Sequence, residues 1–375
     1  MRILLTGATG YIGSRLVTEL LAAGHQVVVT SRDPGRLADY GWFGDVTAVS
    51  MDARESDSTA AAFEAAGQVD VVYYLLHGIG DPGFRESDNR AARNVAEAAR
   101  AGGVRRIVYL GGFVPGADTL SDHLAGRAEV AEALHVDGGP EVVWLGAALI
   151  IGAGSTSFEI LRYVSDRFPV LPLPSWMSNP IDPISIRDVL HYLVAAADPE
   201  LVPAGSYDIS GPETTTYRDL LLTYARLSGN RQFEVPVGGV PTALVSLLSA
   251  AVLPVPGGLT ADLTASLDYP MTANDDGLRG LVPDPEGGLL TVQDAMLRAL
   301  AMHPRRPVNK LADSHHLADT DPDWAGGDVA RIRQLTPWIA RPALGMLAPL
   351  PGPAKAAVRT GLDVLADLAA KVDPR

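Results

Sequence analysis

Residues 1–32 read MRILLTGATGYIGSRLVTELLAAGHQVVVTSR, and their pattern decides the fold. Arg2 to Thr6 is a short apolar run of the kind that forms a buried parallel strand. Ser14 to Ala23 carries Leu16, Leu20 and Leu21 at helical spacing, and Gly24-His25 ends that helix. Val27 to Thr30 then reads as a second buried strand. Between the first strand and the helix lie Gly7, Gly10 and Gly13, where a phosphate-binding turn needs residues without side chains. Strand, glycine turn, helix and strand make a βαβ unit whose helix amino terminus binds pyrophosphate. Gly7, Gly10, Tyr11, Ile12 and Gly13 are therefore expected to contact a dinucleotide.

The alternation continues. VTAVSMDAR predicts a third strand, STAAAFEAAG a helix, and DVVYYLLHG a fourth strand. ESDNRAARNVAEAARAGGV predicts a helix closed by glycines, RRIVYLGG a fifth strand, LSDHLAGRAEVAEALHVDGG a helix capped by Ser121, and EVVWLGAALIIG a sixth strand. This rhythm predicts an α/β protein built on a doubly wound parallel (Rossmann) sheet. After Gly152, prolines and aromatics crowd RFPVLPLPSWMSNPIDP and the rhythm stops. The expected organisation is a dinucleotide-binding domain at 1–150, rejoined by 181–199. A smaller α/β substrate-side domain takes 151–180 and 200–305, and a helical carboxyl-terminal tail takes 306–375.

Composition narrows the function. A chain of 375 residues that is 47% hydrophobic can bury a large core. Its net charge of −14 and lack of a basic stripe argue against nucleic acid as a partner. It has no cysteine, which removes disulfides, thiolate metal sites and a cysteine nucleophile. His315 and His316 are adjacent, which is not the spacing of a ligand set, so no metal is expected. The apolar stretch TALVSLLSAAVLPVPGGL is broken by Pro254 and Pro256 and too short to span a bilayer. The chain starts directly on a strand, without the pattern of a secretory signal, so a cytoplasmic protein is expected. Lysine occurs only at positions 310, 355 and 371, so no mechanism can use one in the nucleotide domain.

The end of the second strand sets cofactor preference. An acidic residue there bonds the adenosine ribose of NAD, but this chain has Thr30-Ser31-Arg32. Ser31 and Arg32 suit a 2′-phosphate through charge-assisted bonds, and Arg36 and Arg15 would add to them. NADP(H), with NADPH preferred over NADH, is the expected cofactor. Asp52 is placed to meet the adenine amino group, or else to cap the turn after the third strand. Leu75 closes the fourth strand beside the cofactor.

The motifs TGATGYIG, DVVYYL, NVAEAARAGGVRRIVYLGG and PISIRDVLHYL resemble successive blocks of the short-chain dehydrogenase/reductases, of the extended or atypical, epimerase-like kind. The phrases YYLLHG, LSDHLAGRAEV, IIGAGSTSFEILR and SYDISGPETTTYRDLL resemble an atypical bacterial subgroup of NAD(P)H-binding proteins, over roughly residues 1–300. The superfamily's working pair, as the resemblance implies, is a tyrosine acid followed four residues later by a lysine. Here the matching helix offers His123 and Arg127. Their spacing puts them on one helix face. Arginine can grip ribose hydroxyls but cannot relay a proton, whereas histidine titrates near neutrality and can exchange one. Gly111-Gly112 replaces the serine often found after the fifth strand. Standard tyrosine-lysine chemistry is thus excluded. Tyr73, Tyr74 and His77 close the fourth strand, where the nicotinamide would lie, and Tyr73 and Tyr74 join His123 as candidate acids.

Phe158, Arg162, Trp176 and Met177 are the candidates for the substrate side, with Arg162 as the anchor for an anionic group, or else for packing of the smaller domain. In the tail, Val358, Leu362, Leu365, Leu368 and Val372 recur at helical spacing, the stripe of a helix docked on its own core or in a homo-oligomer. The expected function is hydride transfer between NADP(H) and a small, apolar substrate. The alternative is a non-catalytic NADP(H) redox sensor or binding module. A nucleotide-sugar epimerase or dehydratase is disfavoured by the missing pair.

Overall fold

The computed structural model describes residues 1–78, 83–114, 122–168, 170–230, 232–237, 253–256, 266–328 and 330, with the single positions 358 and 361. The expected cap Ser121 and the tail stripe beyond Val358 lie outside the described residues.

Seven parallel strands form the main sheet: β1 (Arg2–Leu5), β2 (Gln26–Ser31), β3 (Thr47–Ser50), β4 (Val71–Tyr74), β5 (Arg106–Gly112), β6 (Glu141–Ala147) and, after the short pairs named below, Gly205–Ile209. Helices α1 (Tyr11–Ala22), α2 (Ser56–Ala66), α3 (Phe84–Ala101) and α4 (Asp122–Leu134) alternate with the strands. The spatial order is β3-β2-β1-β4-β5-β6 and then Gly205–Ile209 at the edge. The order reverses between β1 and β4, so a crevice opens at the carboxyl ends of those two strands.

Both faces of the sheet are covered, which is why its strands are apolar runs rather than alternating ones. On one face Ile3, Leu5, Val29 and Tyr73 pack against Leu16, Val17 and Leu20 of α1, joined by Val189, Leu190 and Leu193. On the other, Leu4, Val28, Val72 and Tyr74 meet Phe63 of α2 and the small residues Ala91, Ala92 and Ala96 of α3.

Two expectations are corrected here. The predicted sixth strand is broken: β6 stops at Ala147, and β7 (Ile150–Ile151) leaves the sheet to pair with Ile184–Ser185. Gly205–Ile209, expected in the smaller domain, is instead the seventh strand of the main sheet, in register with Val143–Ala147. It was hidden because an edge strand is half polar, and GSYDI shows no apolar run.

The remainder, α5 (Thr156–Arg167), β8 (Val170–Leu173), β9 (Pro180–Ile181), β10 (Ile184–Ser185), α6 (Ile186–Ala195), β11 (Gly205–Ile209), β12 (Thr215–Thr216), α7 (Tyr217–Ser228) and β13 (Phe233–Pro236), divides between two places. Helix α6 returns to the main sheet and packs on α1. Helices α5 and α7 build a separate cluster in which Phe158, Leu161, Leu220, Leu221 and Met296 pack with Phe113 and Leu124 from the sheet's carboxyl edge.

Of the expected helical tail, residues 306–326 form a strap of turns with one short 3-10 helix, Val308–Lys310, and helix begins at Gly327. Polar contacts hold it. His315 is fully buried, its Nε2 bonded to the Ser185 hydroxyl at 3.0 Å and its Nδ1 to the Asp313 carboxylate at 2.6 Å. Burial would raise the Asp313 carboxyl pKa, but hydrogen bonds from the His315 ring and backbone outweigh it and hold it well below the ordinary range. A depressed folded-state pKa gives stability that is present above the unfolded value, about 3.9, and lost as pH falls through the folded one. Unfolding free energy should therefore drop more steeply between pH 5 and 2 in the native chain than in Asp313→Asn, measured by urea denaturation. Equal slopes would mean that Asp313 contributes nothing to the acid transition.

Candidate functional site

The crevice between β1 and β4 is shaped by three residues. Thr6, at the end of β1, donates its hydroxyl to the Tyr73 carbonyl at 3.0 Å and accepts from the Leu75 amide at 3.1 Å. Gly7 takes a φ of +75°, and a side chain there would put its first carbon 2.6 Å from the Leu75 carbonyl oxygen. At Gly13 such a carbon would lie 2.2 Å from the Gly7 carbonyl oxygen, so only glycine lets α1 start this close to the strand. The Gly10 amide donates to Gly7 at 3.0 Å, and Gly10 caps α1 in extended conformation. Thr9 and Gly10 are exposed, and Tyr11 and Ile12 are half-buried at the helix head. The first turn of α1 thus presents free amides at an open surface, the arrangement that receives phosphate.

At the end of β2, Ser31 is turned inward on its own loop, bonding the Asp33 carbonyl and amide. Asp33 spends its carboxylate on the Gly35 amide, capping the turn Pro34–Asp39. Arg32 and Arg36 are exposed, and neither forms an ion pair among the described residues. The Tyr40 hydroxyl donates to the Thr9 carbonyl at 2.9 Å, tying the loop after β2 to the glycine turn. Asp52 takes the second of its two expected roles: its carboxylate accepts from the Arg54 amide and is clasped by the Arg54 guanidinium at 2.7 Å.

Several candidates are not where the sequence put them. Arg15 points away from the 2′-phosphate position: it is 2% exposed and paired with Asp321 at 2.7 Å. Tyr73 and Tyr74 have no exposed surface. The pleat sends them to opposite faces, where the Tyr73 hydroxyl donates to the Leu193 carbonyl at 2.7 Å and the Tyr74 hydroxyl reaches the Asp88 carbonyl at 3.5 Å. Burial raises the pKa of both. They are core tyrosines and poor acids. Arg162 does not await an anion either: its guanidinium faces Glu159 and donates to the Ala299 carbonyl at 3.0 Å, over the ring of the buried Phe158. Trp176 and Met177 pack with Phe113 and Leu149 beside the sheet's carboxyl edge.

Arg127 stays half-buried on α4, within reach of Gly112, and its backbone carbonyl accepts from the Tyr109 hydroxyl at 3.2 Å. His77 is exposed just past the end of β4. The side chain of His123 lies outside the described residues. Ser185, His315 and Asp313 form a hydrogen-bonded row resembling a hydrolytic triad, but Ser185 is 1% exposed and its oxygen already accepts the Arg187 amide. No substrate reaches it.

Residues 7–134 match the NAD(P)H-binding family model. That match covers about a third of the chain, the part that includes the glycine turn and strands β2 to β5 of a Rossmann-type sheet. Among curated proteins, the chain is 26% identical over 220 residues to the mitochondrial NADH dehydrogenase [ubiquinone] 1 alpha subcomplex subunit 9 of Arabidopsis thaliana, covering 57% of this chain and 54% of that one. It therefore spans about half the length of the plant protein. It is 29% identical over 254 residues to the (4-alkanoyl-5-oxo-2,5-dihydrofuran-3-yl)methyl phosphate reductase of Streptomyces griseus, covering 65% of this chain and 80% of that one. A nucleoside-diphosphate-sugar epimerase from Staphylococcus aureus shares the fold, with a TM-score of 0.64 and 19% identity over 79% of this chain and all of that one. No helix among the described residues is long and apolar enough to cross a membrane.

The placement of Tyr73 has a direct test. Tyr73→Phe should cost about 0.5–1.5 kcal/mol of stability, the worth of one buried hydrogen bond. NAD(P)H affinity, followed by nucleotide fluorescence, should not change. A large loss of affinity with native stability would return Tyr73 to the site.

Proposed function

We propose that the protein is an oxidoreductase that transfers a hydride between NADP(H) and a small, apolar substrate, using NADPH in preference to NADH. The observation that carries this reading is the pair Arg32 and Arg36, two exposed guanidinium groups without ion-pair partners among the described residues, at a strand end lacking a free carboxylate. A 2′-phosphate would satisfy both, and the Gly35 amide holds the Asp33 carboxylate against its own turn. Arg127 is the residue to hold the nicotinamide ribose hydroxyls, in the place of the superfamily's lysine. With Tyr73 and Tyr74 engaged in the core, His123 is left as the proposed proton donor. Trp176 and Met177 supply an apolar wall. The bound cofactor supplies the hydride, and the chain supplies orientation and electrostatics. The reductase named among the relatives supports the hydride-transfer part of this reading.

A second reading, a nucleotide-binding sensor without turnover, draws its support from the absent tyrosine-lysine pair. His123→Phe separates the two. Turnover on an identified substrate should fall by about 10²–10⁴ while NADPH affinity holds, as expected for a lost general acid. If no substrate in a carbonyl and enone screen oxidises NADPH, the sensor reading stands.

Cofactor choice is tested by Arg32→Asp. NADPH binding should weaken by about 1.5–3 kcal/mol, or roughly ten- to a hundredfold, with NADH binding unchanged or improved. Equal affinity of the native protein for NADH and NADPH would overturn the assignment.

A further inference from the structure

Arg15 lies one turn after Tyr11 on the helix that receives the phosphates, and everything around it is built to hold it still. Its two terminal nitrogens grip Asp321 end-on at 3.0 and 2.7 Å. The same guanidinium donates to the carbonyls of Ser314 at 2.9 Å and His316 at 2.8 Å, and back to Tyr11 at 3.1 Å. Asp321 also accepts the Ala318 amide at 2.8 Å. The pair is 2% and 3% exposed, so the two charges are kept from water and compensate each other.

The guanidinium in turn lies over the Tyr11 ring, 4.0 Å from its centre. Two glycines also lie against that ring. A side chain at Gly152 would begin 2.1 Å from the Tyr11 hydroxyl, and one at Gly154 would begin 3.0 Å from the ring. Tyr11 is therefore clamped, and its hydroxyl is buried with no hydrogen-bond partner among the described residues. A buried hydroxyl left unbonded is costly, so the ring is held there by its neighbours and not by its own polar end.

The strap is fixed independently at its far side. Glu159 of α5 accepts the amides of Gly154 at 3.0 Å and Gly327 at 3.1 Å, and Arg167 pairs with the buried Asp328. The Tyr163 hydroxyl donates to the Trp324 carbonyl. One segment thus joins the head of α1 to α5.

We propose that Arg15 is a positioning residue for the cofactor. Held by Asp321, it presses Tyr11 onto Gly152 and Gly154 and so sets the amino end of α1 in the shape that receives pyrophosphate. Strap docking and nucleotide binding are then thermodynamically coupled, each strengthening the other by the same factor. The proposal rests on the NADP(H) reading above for the identity of the ligand, but the clamp itself can be tested without any ligand.

The experiment compares the full-length native chain with the double variant Arg15→Leu/Asp321→Leu, which removes both buried charges together and avoids leaving one unpaired. Hydrogen exchange is read at residues 7–14 without nucleotide, and NADPH affinity is read by fluorescence. The expected result is faster exchange at 7–14 in the nucleotide-free variant and about five- to a hundredfold weaker NADPH binding. In the native protein, NADPH should also slow exchange in residues 313–328. Unchanged exchange at 7–14 in the variant would overturn the clamp, whatever binds. Faster exchange with no NADPH or NADH binding by the native protein would uphold the clamp and overturn the cofactor reading. Should the double variant not fold, Asp321→Asn, nearly the same shape, carries the same measurements.

Discussion

The close approach of three backbone segments at the end of β1 is the constraint on which the site depends. The Gly7 backbone presses on the Leu75 carbonyl, and the first turn of α1 presses on Gly7. Two missing side chains bring a strand, a helix and the neighbouring strand within van der Waals contact at the point where the sheet reverses direction. The Thr6 hydroxyl, bonded to both Tyr73 and Leu75, stitches that point together. Because the strands are fixed there, the loops at their carboxyl ends fall around one crevice. Arg32 and Arg36 come from one side of it and Arg127 from the other.

The alternating architecture was legible because parallel strands buried on both faces leave an unmistakable trace: ILL, VVV and VVYY are apolar without a break. The trace fails where burial is partial. Strand β11 has exposed Gly205 and Ser206, and nothing in its five residues announces a strand. The sixth apolar run concealed a break, since the change of partner after Ala147 depends on the distant residues Ile184 and Ser185. The strap was illegible for a related reason. It is stabilised by hydrogen bonds to main-chain carbonyls and by ion pairs, and neither has a period in the sequence.

Among the site residues, the glycine turn could be read directly because only one residue type fits it. The end of β2 was less plain, because its acid, Asp33, shows its bond to the Gly35 amide only in the folded loop. The tyrosines of β4 could not be read. A strand end looks the same in sequence whether it projects into a crevice or sinks into the core, and here α6 covers Tyr73 with the Leu193 carbonyl. Arg15 and Arg162 misled in the same way. An arginine near a presumed site suggests an anion, but the partner of each is an acid of the chain itself, Asp321 for one and Glu159 for the other. The absence of lysine before position 310 had a firmer consequence, because every basic group at the crevice apart from histidine is a permanent cation.

The strap bears on how this chain is made. Helix α1 leaves the ribosome well before the strap, and the carboxylate that neutralises its buried Arg15 comes 306 residues later. At synthesis rates of about 5–20 residues per second, that gap lasts on the order of 15–60 s. During that interval the nucleotide domain carries a cation whose buried place cannot yet be occupied, and Arg167 of α5 waits in the same way for Asp328. The domain that the sequence places first is in this sense finished last. Cutting the chain after the smaller domain would remove the means of completing the larger one.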